Sequence, residues 1–394
     1  MISVTEAIEF IKQHIPPLTS VKFGIVDACG FVAAENIYSP LALPPFNQSA
    51  MDGYAIRFSD LENTNIFTLG GEVAAGGNYT NIIAPNSAIR IFTGASVPEG
   101  TDTVIMQEHA TISNENISFS PLPIKQGTNV RLVGSHIQKD AIAFAKGQLI
   151  TPAAVGHLTG LGITEVVVYN KPKVAIITTG NEVIEPGLEL KQGSIYDSNK
   201  PLLIAALHSF GIEPIYIIHV LDKPELLYNH IQIAFEKVDI LLVTGGVSVG
   251  DYDYVVPMLE KAGVQKVFHN IKQKPGKPLY FGTKENKLVF GLPGNPASVL
   301  TCFYEYVSVA LKSKMGFQNA EIKKSYLPLK NSYTKKKGLT HFLKAVADDK
   351  CVEILEGQES YILHSYALAN CLVCISEDVE VKNIGDLVEV HWIN

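Results

Sequence analysis

The residues best suited to chemistry lie between positions 238 and 255, where the chain reads VDILLVTGGVSVGDYDYV. An apolar run stops at Gly245 and Gly246 and gives way to small residues and two acids, Asp251 and Asp253. A continuous apolar run without alternation suits a parallel strand covered on both faces. The glycines can take positive φ and let a ligand approach the backbone, and the amides that follow can face an anion. Carboxylates a few residues further on add what a phosphate ester with a divalent cation requires. A tight strand-to-helix turn with acids at the positive end of the helix would give the same pattern. Taken alone, the stretch fits both.

The neighbouring elements decide how such residues would be positioned. From Lys173 strands alternate with helices: KVAIITTGNEV, a helix over 198–210 with Ser198 and Asn199 as cap candidates, EPIYIIHVLD, a helix over 223–237, then the glycine stretch. That is a βαβ series, which predicts a mostly parallel sheet. Four strand ends carry polar or glycine-rich turns: TTGNE with Glu182, HVLDK with Asp222, TGGVSVGD leading to Asp253, and FGLPGNPAS with Asn295. Parallel strands place these turns along one edge, where open α/β sheets bind ligands. Asn295 reads as an N-cap with Pro296 at the first helical position. Between 260 and 287 seven lysines face two glutamates, and KQKPGKP holds Lys272, Lys274 and Lys277 in an extended loop. A lysine run is commonly plain surface, but this one directly precedes a turn on the binding edge, which favours a ligand role.

Elsewhere, LPPFNQSAMDGYAIR crowds Asn47, Gln48, Ser49, Asp52 and Gly53 together. It reads either as a type I′ hairpin turn at Asp52–Gly53 or as an exposed loop presenting Asp52 as a metal or proton ligand. Residues 56–134 contain short β-like runs between Gly, Pro, Asn and Ser, with Thr93 and Arg131 beside glycines, and predict an all-β domain. Residues 150–168 predict a small helix and a strand returning to the N-terminal element. The end, from about 316, predicts a small β domain in which Lys335, Lys336 and Lys337 form a solvated turn.

With 394 residues, 46% hydrophobic and 18% charged, the chain has the composition of a globular protein of two to four domains. A net charge of −7 argues against a nucleic-acid binder, so an anionic ligand needs a local basic patch. The N-terminus carries Ser3 and Glu6 at capping-box spacing and reads as a helix, not a signal peptide. No apolar run approaches the roughly 20 residues of a membrane span. Five cysteines without repeated spacing fit reduced thiols in the cytoplasm, and the Cys371–Cys374 pair, which has redox or metal spacing, reads more simply as part of a strand.

Taken in order, PPFNQSAMDGYA, GASVPEGTDTVIMQE, TTGNEV, TGGVSVGDYDYV, KPGKP and GLPGNPAS resemble the molybdopterin molybdenumtransferases, the molybdenum insertases of molybdenum-cofactor synthesis. The resemblance covers essentially the whole chain. It implies a multidomain α/β plus β fold: a two-piece N-terminal segment (1–40 and 139–170), an inserted β domain (41–138), a molybdopterin-binding α/β domain with a mostly parallel sheet (171–315) and a C-terminal β barrel (316–394). It implies a homodimer in which adenylylated molybdopterin and molybdate react with Mg²⁺ to give molybdenum cofactor and AMP. Asp52, Glu182, Asp222 and Asp253 match the family's metal-binding and catalytic carboxylates, and Lys274 joins them in catalysis. Substrate-binding positions are Thr93, Arg131, Ser198, Gly245, Gly246, Ser248, Gly250, Lys277, Pro293, Gly294 and Asn295. Asp52 would act across the subunit interface. Expected partners are the adenylyltransferase that makes the substrate and the enzymes that receive the cofactor, with no nucleic acid and no membrane.

The chain departs from the family pattern at Gly134-Ser135-His136, where a Gly-Glu-Asp is usual, and at Asn181, where the family has Asp. It also lacks an arginine near GLTHF and has GQE at Gly357 in place of a Gly-Ser-Gly-like turn. Two other functions remain in view. An adenylyltransferase acting one step earlier would share the α/β domain, but the extra β domains argue against it. A non-catalytic carrier or scaffold would hold the pterin without turnover.

Overall fold

The structure, a computed structural model, describes residues 1–121, 123–247 and 253–393. Ser248, Gly250 and Asp251, singled out above, lie outside the described residues. At its centre is a six-stranded sheet in the order Tyr216–Val220, Val174–Thr179, Ile240–Thr244, Lys287–Leu292, Tyr280–Lys284 and Gln265–His269. The first four strands are parallel; the fifth pairs antiparallel with the fourth, and the sixth antiparallel with the fifth. Successive side chains enter opposite layers, as the period of two requires. Val174, Ile176, Ile240 and Leu242 join one apolar cluster, and Ala175, Ile177, Leu241 and Val243 join the other. Both faces are therefore covered, which accounts for the absence of alternation in these strands.

One layer holds the helices Asn199–His208 and Pro296–Cys302, the latter continuing through Phe303–Val307 to Ser308–Lys314. The N-terminal helix Val4–Gln13 has the expected capping box of Ser3 and Glu6. It buries Ala7 and Ile11 in this same layer. The opposite layer holds Pro224–Phe235 and Val255–Lys261.

Ser20–Gly24 pairs antiparallel with Glu165–Tyr169, and Ile37–Tyr38 with Ile142–Phe144, so two stretches far apart in sequence share one small core around Ile25, Leu158 and Val168. Between them lies a six-stranded sheet in the order Thr103–Met106, Gly53–Ile56, Ser87–Ile91, Ile66–Val73, Asn116–Phe119 and Ala110–Ser113. Gly53 opens a strand here and is not among the residues at positive φ, so Asp52–Gly53 is not a type I′ turn. Glycine is needed for another reason: a Cβ at position 53 would stand 2.0 Å from the Ile105 carbonyl oxygen.

The C-terminal strands Thr340–Ala347, Cys371–Ile375, Leu387–Trp392 and Lys323–Pro328 form a half-barrel sheet whose first strand also pairs with Gln273–Lys274 of the lysine loop. Just past Lys323–Pro328, Leu329 bridges to Val352 on the strand Val352–Ile354, which pairs with Thr340–Ala347, so the far side of the sheet curls back toward its first strand. Lys335 is not solvated as the charge run suggested. It is 6% exposed and donates to the carbonyls of Leu339 (2.9 Å) and Glu377 (3.4 Å), while Lys336 and Lys337 are exposed.

The Gly53 contact has a measurable consequence. Gly53→Ala should destabilise the chain by about 1–3 kcal/mol, the usual range for an overpacked site, read as a lower denaturation midpoint by circular dichroism. An unchanged midpoint would show that the strands separate without cost.

Candidate active site

The four parallel strands end in a row, and side chains tie those ends together. Thr244 Oγ1 donates to the Pro293 carbonyl at 2.8 Å, and Asn199 Nδ2 donates to the Gly294 carbonyl at 2.7 Å and to Thr244 Oγ1 at 3.3 Å. Asn199 thus fastens the first turn of its helix to two strand ends. Ser198 occupies the cap position but makes no capping bond through its side chain. Asp197 does so instead, with Oδ1 accepting from the Lys200 amide at 2.9 Å. Its Oδ2 accepts from Thr178 Oγ1 at 2.9 Å, and Thr178 Oγ1 lies 3.0 Å from His219 Nδ1. Asp197 is only 4% exposed. The IYDSNK stretch carried the only signal for it, an acid immediately before a helix start.

Gly245 and Gly246 have φ of 97° and 54°. A Cβ on Gly245 would lie 2.5 Å from the Thr179 carbonyl oxygen. Backbone conformation and space both demand glycine, and the result is a bare floor between two clefts. The first cleft, ≈ 600 Å³, is lined by Glu182, Asp197, Asp222 and Asp253 together with Ser198 and Gly245. The second, ≈ 530 Å³, is lined by Lys274, Lys277, Gly276 and Pro293, and by Gln358 and Ser360 from the C-terminal domain. Gly246, Asp253, Gly294 and Asn295 line both. Acidic and basic groups are thus separated across one glycine-rich seam, with Asp253 on the boundary. Such a seam suits a phosphate ester whose counter-cation lies on one side and whose oxygens meet ammonium groups on the other.

The carboxylates are hard oxygen donors of the kind a Mg²⁺ ion takes. Among the described residues, however, Glu182, Asp222 and Asp253 do not form a group whose ligand atoms all lie within 4.8 Å of one another. They fit an ion that takes one or two protein carboxylates and completes its shell with water and substrate phosphate. The Asn181 departure has a visible role: its amide donates to Asp222 Oδ2 and its Oδ1 accepts from the Asp222 amide, each at 3.1 Å. An asparagine there fixes Asp222 without adding a second negative charge beside it.

Asn295, expected as a side-chain cap, makes no capping bond. Its Nδ2 donates to Ser360 Oγ at 2.7 Å, and the Ala297 amide donates to the Ser360 carbonyl at 3.1 Å. The Ser360 loop is held from beneath by Lys344, 2% exposed, whose Nζ donates to the carbonyls of Gly357 (2.5 Å), Ile362 (3.0 Å) and Glu359 (3.3 Å). Gln358 of the GQE turn brackets the same lysine, accepting from its amide and donating to its carbonyl. No sequence signal links Asn295 to Ser360, because the contact exists only once two domains dock.

Asp52, Thr93 and Arg131 all belong to the inserted domain and line neither cleft. The Thr93 amide and hydroxyl donate to Asp52 Oδ1 at 2.7 and 2.8 Å, which holds the carboxyl below the usual carboxylate range. Arg131 pairs with Gln48 in a short strand next to the Asp52 loop. Asp52 is exposed, as the loop reading required. The structure therefore separates Asp52 from the other three carboxylates within one chain. His136 lies with its ring centroid 5.4 Å from that of His157, on the helix Pro152–Gly160.

The site is thus an α/β sheet edge where an acidic cleft meets a basic one, the basic one lined in part by the C-terminal β domain. Residues 2–162 match the family described as MoeA N-terminal region (domain I and II), 175–313 the "Probable molybdopterin binding domain", and 326–393 the MoeA C-terminal region (domain IV). A Haemophilus influenzae protein named molybdopterin molybdenumtransferase is 33% identical over 100% of this chain and 99% of its own length. One of the same name from Nostoc is 36% identical over 80% of this chain and 75% of its own. The crystal structure of the molybdopterin biosynthesis MoeA protein from Pyrococcus horikoshii superposes with a TM-score of 0.87 at 30% identity, covering 100% of both chains. The chain belongs to the MoeA family of molybdopterin molybdenumtransferases.

His341 pairs with Lys274 between adjacent strands, and its Nδ1 lies 2.9 Å from the Tyr333 hydroxyl. Burial, then Lys335 and Lys274, pushes its pKa down from 6.5 to about 4. The folded state thus holds a neutral imidazole where the unfolded chain would be protonated. The associated stability is fully present above pH 6.5 and is lost as pH falls toward 4. Urea unfolding at pH 7 and pH 5 should show a larger loss for the wild type than for His341→Gln. Equal losses would contradict a neutral His341.

Proposed function

We propose that the chain transfers molybdenum from molybdate into adenylylated molybdopterin, releasing AMP, and that it works with Mg²⁺ as a homodimer in the cytoplasm. One observation carries this reading: the acidic and basic clefts that meet at Gly246, Asp253, Gly294 and Asn295. The substrate joins a phosphoric anhydride to a dithiolene that must take up an oxyanion, so negative charge crowds together as the reaction proceeds. Lys274 and Lys277 offset that charge, and Gly245 and Gly246 allow close approach of the phosphates to the backbone. Gly294 and Asn295 line both clefts, with Pro293 beside them in the basic one and Ser198 in the acidic one. Ser248 and Gly250 continue the glycine turn in sequence.

Glu182, Asp222 and Asp253 would hold Mg²⁺, which when bound draws charge from the anhydride oxygens. Asp197, almost fully buried in the lining of the same cleft, orients the helix start and the Thr178 hydroxyl. Asp52, with Thr93 and Arg131, would complete the site from a second copy of the chain, which explains why one chain alone keeps it apart from the other carboxylates. The upstream partner is the adenylyltransferase that supplies the adenylylated pterin, and the downstream partners are apo-molybdoenzymes.

Incubation with adenylylated molybdopterin, molybdate and Mg²⁺ should release AMP in a molybdate-dependent manner, and Asp253→Asn should lower the rate by at least about 100-fold, as for loss of a charge-stabilising group. Pterin binding without AMP release would convert the protein into a carrier, and formation of the adenylylated pterin from ATP would make it the adenylyltransferase. Asp52→Ala and Asp253→Ala chains, each inactive, should regain activity when mixed and re-equilibrated as dimers. Persistent inactivity of demonstrated mixed dimers would remove Asp52 from the partner's site.

A further inference from the structure

A second constellation lies in a cavity of ≈ 320 Å³ that shares no lining residue with either cleft. Cys374 and Glu389 are opposite each other on the adjacent antiparallel strands Cys371–Ile375 and Leu387–Trp392. His391, two residues beyond Glu389, lies on the same face by the period of a strand. The Cys374 sulfur, a Glu389 oxygen and a His391 ring nitrogen all lie within 4.8 Å of one another. Glu305, 1% exposed and on the helical layer of the α/β domain, takes the other ring nitrogen: His391 Nδ1 is 2.9 Å from both Glu305 oxygens. This leaves Nε2 directed at Glu389 Oε1, 2.6 Å away.

A carboxylate fixing one imidazole nitrogen so that the other faces a ligand set is the arrangement that supports metal-bound histidines. Sulfur, imidazole and carboxylate together form a zinc-type donor set, with tetrahedral ligand distances of about 2.0–2.3 Å from the ion within reach of modest closure. Thr5, Ile8 and Lys12 of the N-terminal helix also line the cavity. Two groups already engage Glu389: Lys324 Nζ on Oε1 at 3.0 Å and the Tyr326 hydroxyl on Oε2 at 3.1 Å. Cys374 and Glu389 are half-buried and His391 is buried, and binding would displace the Cys374 thiol proton as thiolate ligation requires.

We propose that Cys374, Glu389 and His391, backed by Glu305, bind one zinc-class divalent cation that clamps the C-terminal sheet to the helical layer of the α/β domain. The site is independent of molybdenum transfer and joins segments from three parts of the chain.

The test uses the full-length chain with Cys29→Ser and Cys351→Ser, since these two thiols are not buried and could bind metal on their own. After chelator treatment, titration with Co²⁺ should give one equivalent with a thiolate-to-metal charge-transfer band, and Zn²⁺ should displace it. Cys374→Ser should abolish the band, and Glu305→Gln should weaken binding about 10–100-fold, as for loss of an outer carboxylate. Zinc should also slow proteolysis between the α/β and C-terminal domains. Absence of the band in the starting protein, or a band that survives Cys374→Ser, overturns the proposal. Should Cys374→Ser fail to fold, an affinity unchanged by Glu305→Gln overturns it equally.

Discussion

The strands Val174–Thr179, Tyr216–Val220, Ile240–Thr244 and Lys287–Leu292 run parallel, so their carboxyl ends share one edge, and everything at the candidate site hangs from that edge. The constraint is enforced from both sides by fully buried apolar residues whose alternation commits each to one helical layer. A one-residue slip in any strand would exchange the two sets and is strongly disfavoured. At the ends, the Thr244, Asn199 and Asp197 hydrogen bonds turn register into position: they fix the helix start and the Gly294 turn relative to the glycines. Glu182 and Asp222 then need only short turns to reach the acidic cleft.

The opposite cleft depends on a second domain. Gln273–Lys274 pairs with Thr340–His341, so the loop carrying the lysines is also an edge strand of the C-terminal sheet. Ser360 returns the contact through Asn295 and the Ala297 amide. The buried Lys344 ammonium satisfies three carbonyls of the same loop, a costly group to bury unless fully bonded. Docking of the C-terminal domain and the shape of the basic cleft are therefore one structural fact.

Much of this is readable in the residues. Apolar runs broken by glycine and acid at VTGG and TTGNE identify buried strands and their polar ends, because local pattern and tertiary role agree there. What the sequence concealed arises from long-range packing. Asp52–Gly53 has the composition of a turn, yet the glycine is there because the Ile105 backbone lies against it. Lys335 belongs to a charge run but is buried by two carbonyls from separate segments. Ser198 and Asn295 have capping chemistry, and neighbours in space claim their roles or their side chains. Asp197 could not be distinguished from any acid before a helix until Thr178 was beside it. Cys371 and Cys374 read as part of a strand and lie in one, but nothing local shows that the fold brings Cys374 beside Glu389 and His391.

The central claim is that one glycine seam joins a cation-holding cleft to an anion-holding one. A crystal structure of the protein with adenylylated molybdopterin and Mg²⁺ tests it most directly. The account predicts the phosphates over Gly245 and Gly246, with the metal toward Glu182, Asp222 and Asp253 and phosphate oxygens toward Lys274 and Lys277. A nucleotide bound away from this seam, for instance on the inserted β domain alone, would contradict it.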